Sequence, residues 1–230
     1  MPPMTETVSF PGTSVPQLGG YLARPEGNGP FPAIVVIHEA YGLNNNIRSV
    51  AERFAGEGYI ALAVDLFAGR NVMVCMARFI AGAIFNSLEN NGIKDLKRSL
   101  DFLATQPGVD PARLGAIGFC LGGSFAISWA CTDNRLKAVA PYYAFNPRPL
   151  EAVARMCPVV GSYPEQDITA NMGKKLDITL DGYSIPHDIK SYPSAHHSFF
   201  NDQGGSYDAA AAGDSWQRVL AFFKEKGLSL

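Results

Sequence analysis

Two periods alternate along this chain. Ala33-Ile34-Val35-Val36-Ile37 is a continuous apolar, β-branched run, the pattern of a strand buried on both faces of a parallel sheet. Ile47, Val50, Ala51, Phe54 and Ala55 then recur at i, i+3, i+4, i+7 and i+8, one face of a helix that Gly56 and Gly58 are placed to end. Residues 59–64 give a second strand, closed by Asp65. The apolar segment 73–88 reads as a helix broken by Asn90-Asn91-Gly92, and Ile93, Leu96, Leu100 and Leu103 mark the next one. Further strands are predicted at 114–119, 138–140, 157–160 and 185–192, and helices at 122–130 and around Trp216, Val219, Leu220 and Phe223. Residues 8–10 and 20–23 read as a short hairpin ahead of this series. The alternation predicts an α/β fold, a mostly parallel central sheet flanked by helices on both faces. No repeat, low-complexity tract or linker interrupts it, so residues 1–230 are read as a single domain.

Composition narrows the function classes. A hydrophobic fraction of 47% supplies a sizeable core, and a net charge of −2 without charge runs gives no attraction to nucleic acid or an anionic membrane. The amino terminus has neither a basic nor an apolar leader segment, and no apolar run is long enough to span a bilayer. The four cysteines, Cys75, Cys120, Cys131 and Cys157, form no CxxC pair and no disulfide-scaffold density. A reducing cytoplasm is the expected location. No Cys/His cluster has zinc-ligand spacing, and His38-Glu39 lacks the second histidine of HExxH because Gly42 holds that position. Neither a metal nor a cofactor is expected.

Gly118-Phe119-Cys120-Leu121-Gly122-Gly123 changes the picture most. It lies between a predicted strand and a predicted helix and fits the G-x-S-x-G nucleophile elbow of the α/β-hydrolase fold, with cysteine in place of serine. Small residues on either side let strand and helix crowd together at the turn. The thiol then stands at a helix N-terminus, whose partial positive charge favours a thiolate. Cys75, Cys131 and Cys157 lie within helix or strand patterns and read as structural.

A nucleophile needs a base and the base an orienting acid; in this fold they follow in the order nucleophile, acid, histidine. Of the histidines after Cys120, His187 falls inside the predicted last strand. His196 and His197 lie just beyond it, and spacing alone leaves both open. After the 157–160 strand come Glu165 and Asp167, with Asp167 the first candidate for the acid and helix capping its alternative role. The Leu121 N–H is placed to be one oxyanion donor, and the loop 38–42 is expected to supply the other.

Three segments together resemble the dienelactone hydrolase family, also called carboxymethylenebutenolidase: His38-Glu39-Ala40-Tyr41-Gly42-Leu43-Asn44, the cysteine elbow, and Ala195-His196-His197-Ser198-Phe199-Phe200-Asn201. Gly58-Tyr59 and Asp65-Leu66-Phe67 also fit. The resemblance implies a Cys120–His197–Asp167 triad and selects His197 over His196. It implies that Glu39 interacts with the nucleophile and controls its proton, and that Ala40 gives the second oxyanion donor. Tyr41, Arg78, Ser198 and Phe199 become candidate substrate contacts. The implied reaction is cofactor-free hydrolysis of an activated ester or enol lactone, by a monomer or homodimer acting on a small molecule. The family binds the substrate carboxylate with arginines. One of them follows the His-Ser-Phe stretch, which here reads Phe199-Phe200-Asn201-Asp202, and Arg70 and Arg78 are candidates for another. An ester or lactone other than the family's own is therefore expected. The competing readings are a carboxylesterase or thioesterase for apolar acyl groups, with 72–85 lining its pocket, and a non-catalytic binding protein on the same fold.

Overall fold

The computed structural model describes residues 2–229; the side chains of residues 72, 78–80, 83 and 84 lie outside the described set. Eight strands form one sheet in the order β1-β2-β4-β3-β5-β6-β7-β8. The strands are β1 (Met4–Pro11), β2 (Gln17–Arg24), β3 (Phe31–Ile37), β4 (Ile60–Asp65), β5 (Val109–Phe119), β6 (Leu136–Tyr142), β7 (Val159–Gln166) and β8 (His187–His196). β1 and β2 are an antiparallel hairpin, and β2 pairs antiparallel with β4. From β4 to β8 every pairing is parallel. Parallel neighbours need crossovers, and these carry helices: α1 (Asn45–Gly56), α2 (Val72–Phe85), α3 (Asn91–Ala104), α4 (Leu121–Ala130) and α5 (Ala170–Gly182); α6 (Ala209–Glu225) follows the last strand.

The two-residue strand period sorts side chains between two cores. Ala33, Val35 and Ile37 face one layer with Leu96, Leu100, Phe125, Trp129 and Leu176. Ile34 and Val36 face the other, with Ile47, Phe54, Trp216 and Phe223. All seven residues of β3 are buried, as its unbroken apolar run requires. Asn44 caps α1 by accepting from the Ile47 N–H at 3.1 Å.

Several boundaries differ from the sequence pattern. β5 starts five residues before the apolar run at Leu114, at Val109, where Phe31 pairs with it. α2 stops at Phe85, earlier than the Asn90-Asn91-Gly92 break, and Asn90 instead caps the next helix by accepting from the Ile93 N–H at 3.2 Å. An Asn cluster serves a helix start as well as a stop, and composition does not distinguish the two. Cys157 precedes β7, which runs on to Gln166. A 3-10 helix at Leu150–Arg155 and helix α5 had no periodic signature.

The crossing at the cysteine elbow depends on absent side chains. A Cβ at Gly118 would lie 2.2 Å from the Gly122 carbonyl oxygen, and one at Gly122 would lie 2.4 Å from that of Ile37. Both obstacles are backbone and neither can rotate away. Gly122→Ala is expected to destabilise the protein by about 3 kcal/mol, read from the urea unfolding midpoint. A loss below about 1 kcal/mol would show that β3 and α4 separate more easily than this packing implies.

Candidate active site

β3, β5, β6 and β7 are consecutive parallel neighbours, so their carboxyl ends share one edge of the sheet. Sites in such sheets are built from the loops on that edge. β5 delivers Cys120 directly into α4, at φ 55 and ψ −114. That backbone region is costly for a residue with a side chain. It is held by a bond from the Cys120 N–H to the Tyr142 carbonyl at 3.1 Å and by the Ser124 N–H bonding back to the Cys120 carbonyl at 3.0 Å. Leu121 is the first residue of α4, so its N–H has no acceptor one turn back within the helix. The same helix end lends partial positive charge to the thiol.

The other two members of the predicted triad come to the same edge. His197 follows β8 and Asp167 follows β7, and His197 Nδ1 lies 2.8 Å from Asp167 Oδ2. Burial pushes the Asp167 carboxyl up, but the bonds from His197 and Thr169, then the Ile168 N–H, outweigh it and hold the group below the usual carboxylate range. Interaction with the Cys120 thiol is the main cause that pushes His197 up to about 9; burial opposes it and Asp167 reinforces it. Both Cys120 and Asp167 thus favour the protonated imidazole.

This shift fixes a pH dependence of stability. The folded pKa lies above the unfolded value of 6.5, so the contribution of His197 is complete below that pH and is lost as pH rises through about 9. The gap in urea midpoint between the protein and His197→Gln is expected to narrow between about pH 6.5 and 9. A gap that is constant or widens over that window would contradict the assignment.

His196 ends β8, is exposed and pairs only through its backbone with Gln166. His187 is tied to the Ile185 carbonyl through Nδ1 at 2.7 Å, away from this edge. Glu165 is exposed at the end of β7. Asp167 does not cap α5: the N-cap is Thr169, and Asp167 accepts from the Ile168 N–H and the Thr169 hydroxyl instead.

Glu39 is 1% exposed, against the usual solvation of an isolated glutamate. Its Oε1 accepts from the Ser198 hydroxyl at 2.8 Å and the Tyr143 hydroxyl at 3.0 Å, and its Oε2 from Asn201 Nδ2 at 3.4 Å. All three donors are neutral. His38 braces the loop before it: Nε2 accepts from the Leu66 N–H at 3.2 Å and Nδ1 donates to the Glu39 carbonyl at 2.6 Å. An accepting Nε2 requires the neutral ring, and burial lowers its pKa accordingly. Gly42 N–H bonds to the Glu39 carbonyl at 3.3 Å, so Ala40 and Tyr41 form the corner of a turn beside the elbow.

The remaining expected contacts separate. Tyr41 is exposed and Ser198 is bound to Glu39. Phe199 is fully buried among Tyr142, Tyr143 and Tyr192, which makes it core beneath the His197 turn. Arg70 braces the turn after β4 by donating to the Phe67 and Leu66 carbonyls at 2.9 and 3.1 Å. The Arg78 side chain lies outside the described residues.

Tyr143 escaped the sequence reading. It sits at φ 39 just past β6, gives its hydroxyl to Glu39 and packs its ring 4.9 Å from that of His197. Burial, then the Glu39 charge, push its phenol well above the ordinary value, so it stays a donor. Its place at the carboxyl end of a strand was the available signal. Thr169 and Asn201 were likewise invisible, because nothing local marks a residue that bonds to a distant carboxylate.

A parallel sheet carrying a nucleophile elbow, with an acid and a histidine on the next strand ends, defines an α/β-hydrolase. Residues 18–227 match the dienelactone hydrolase family. A protein of Saccharolobus solfataricus provisionally named a carboxymethylenebutenolidase is 31% identical, over 90% of this chain and 94% of its own. One of Synechocystis, with the same provisional name, is 32% identical over 96% of each chain. The crystal structure of a dienelactone hydrolase-like promiscuous phosphotriesterase from metagenomic libraries superposes with a TM-score of 0.87 at 26% identity, over 98% of this chain and 99% of that one. The chain belongs to the dienelactone hydrolase family, and is a hydrolase of the carboxylic-ester type. Among the described residues no helix is long and apolar enough to cross a membrane.

Proposed function

We propose that this protein hydrolyses an activated ester or lactone through Cys120, His197 and Asp167, by way of a thioester. The observation that carries the reading is the 2.8 Å bond between His197 Nδ1 and Asp167 Oδ2, on the same sheet edge as Cys120 at the head of α4. The thiolate attacks the carbonyl carbon, forming the C–S bond and an oxyanion that the N–H groups of Leu121 and Ala40 stabilise. Collapse breaks the C–O bond, and the imidazolium protonates the departing oxygen. The neutral imidazole then takes a proton from water as water attacks the thioester, and release of the acid restores the thiolate. A thiolate expels an unstabilised alkoxide reluctantly, which favours an enolate or comparable leaving group. Mass spectrometry of the enzyme quenched during turnover should show Cys120 carrying the acyl group; an acyl group on any other residue would refute the mechanism.

Glu39 fits a role in controlling the thiol proton, since its buried carboxylate follows directly on the Ile37–His38 backbone against which the elbow residue Gly122 packs. In Glu39→Gln the rate of Cys120 alkylation at pH 7 should rise, because a nearby negative charge opposing the thiolate is gone. An unchanged rate removes Glu39 from that role.

A further inference from the structure

Three large apolar side chains stand exposed on this edge, each on a loop that also carries a residue of the site. Tyr41 is 72% exposed, on the turn after Glu39; Phe145 is 46% exposed, two residues past Tyr143; Ile168 is 73% exposed, next to Asp167. Scattered exposed apolar residues need no explanation, whereas a group of them around one point does. Here the sheet order sets the point: β5, which leads to Cys120, runs between β3, which leads to Tyr41, and β6 and β7, which lead to Phe145 and Ile168. Local bonds hold each position. The Phe145 N–H donates to Ser124 Oγ at 2.9 Å, and Ser124 lies in the first turn of α4. The Ile168 N–H donates to Asp167 Oδ1 at 2.7 Å, and the Tyr41 turn is closed by Gly42. Meanwhile Glu39 and Asp167 turn their carboxylates to Tyr143, Ser198, Asn201, Thr169 and His197. Each loop thus keeps its polar group for the site and shows its apolar one outside.

We infer that Tyr41, Phe145 and Ile168 form an apolar collar around Cys120 that takes the hydrocarbon part of the substrate, an ester or lactone bearing an alkyl or aryl substituent. The inference rests on the hydrolase mechanism proposed above and names its substrate class. A carbonyl at the Cys120 sulfur brings its own substituent against these side chains. A second copy of the chain seated on the same surface would instead cover the thiol.

The test uses p-nitrophenyl acetate, butyrate and hexanoate, together with N-methyl and N-hexyl chloroacetamide as alkylating agents for Cys120. A fully buried methylene is worth about fourfold in affinity, so four half-sheltered ones should raise kcat/KM by about tenfold from acetate to hexanoate. The Phe145→Ser/Ile168→Ser double variant should reduce that ratio to about twofold. The N-hexyl to N-methyl alkylation ratio should fall in parallel. A ratio near one in the unmodified protein, or one unaltered in the double variant, overturns the collar. Loss of self-association in the double variant, with no chain-length dependence, would make this surface an interface between copies and also overturns it. If Cys120→Ala still cleaves the esters, the proposed mechanism fails, while the chloroacetamide ratio continues to read the collar. A Cys120 that neither chloroacetamide reaches counts against the collar as well.

Discussion

Cys120→Ala is expected to lower kcat/KM for activated esters by about 10⁴–10⁶-fold, the scale seen when the nucleophile of a concerted triad is removed. In the proposed mechanism the substitution takes away the atom that bonds to substrate, while the proposed oxyanion donors and the apolar loops stay. Residual hydrolysis above the uncatalysed rate would measure those alone. The variant should fold, because alanine keeps the Cβ that the φ 55 backbone already accommodates. It should also lower the His197 pKa, since the thiol is the first cause of its elevation. Retention of full activity on every ester that the unmodified protein cleaves would end the assignment.

Asp167→Asn should cost about 10³–10⁴-fold in kcat/KM. The carboxylate accepts from His197 Nδ1 at 2.8 Å and also from the Ile168 N–H at 2.7 Å and the Thr169 hydroxyl. An amide there has one acceptor oxygen and a donating nitrogen. The Ile168 N–H takes Oδ1, whereas Thr169 and His197 share Oδ2, so an amide that keeps the Ile168 bond offers its nitrogen to the ring, which selects the wrong imidazole tautomer and withdraws support from the imidazolium. The loss should appear in kcat at pH 7 with far-ultraviolet circular dichroism unchanged. A loss of less than about tenfold would mean that His197 is oriented by other groups, with Tyr143, whose ring lies 4.9 Å away, the first to examine.

The strand period and the glycine spacing were legible in the chain because each is a local rule. Val35 and Val36 reach opposite cores for no reason beyond alternation. Gly118 and Gly122 announce an elbow because no other residue fits against the carbonyl oxygens they meet. The run from Cys120 to Asp167 to His197 was readable as an order of elements, since connections between parallel strands repeat one hand. Boundaries were less legible where one residue type serves two ends, as Asn90 does.

Contacts between sequence-distant residues were not legible at all. His196 and His197 are equivalent by spacing, and family resemblance was needed to prefer one; in the fold, β8 runs on past the predicted end at 192 to His196 and leaves that residue in the sheet, so that His197 is the one that turns to Asp167. Phe199 was a plausible substrate contact until its ring was seen buried beneath that turn. The resemblance tied Glu39 to the nucleophile, but only packing shows it desolvated against Tyr143, Ser198 and Asn201, residues more than a hundred positions away. Local sequence thus sets which strand, turn or helix a residue joins, because those depend on neighbours a few positions apart. Burial, hydrogen-bond partners and proton affinity depend on which loops meet at the sheet edge, and that is a property of the whole chain.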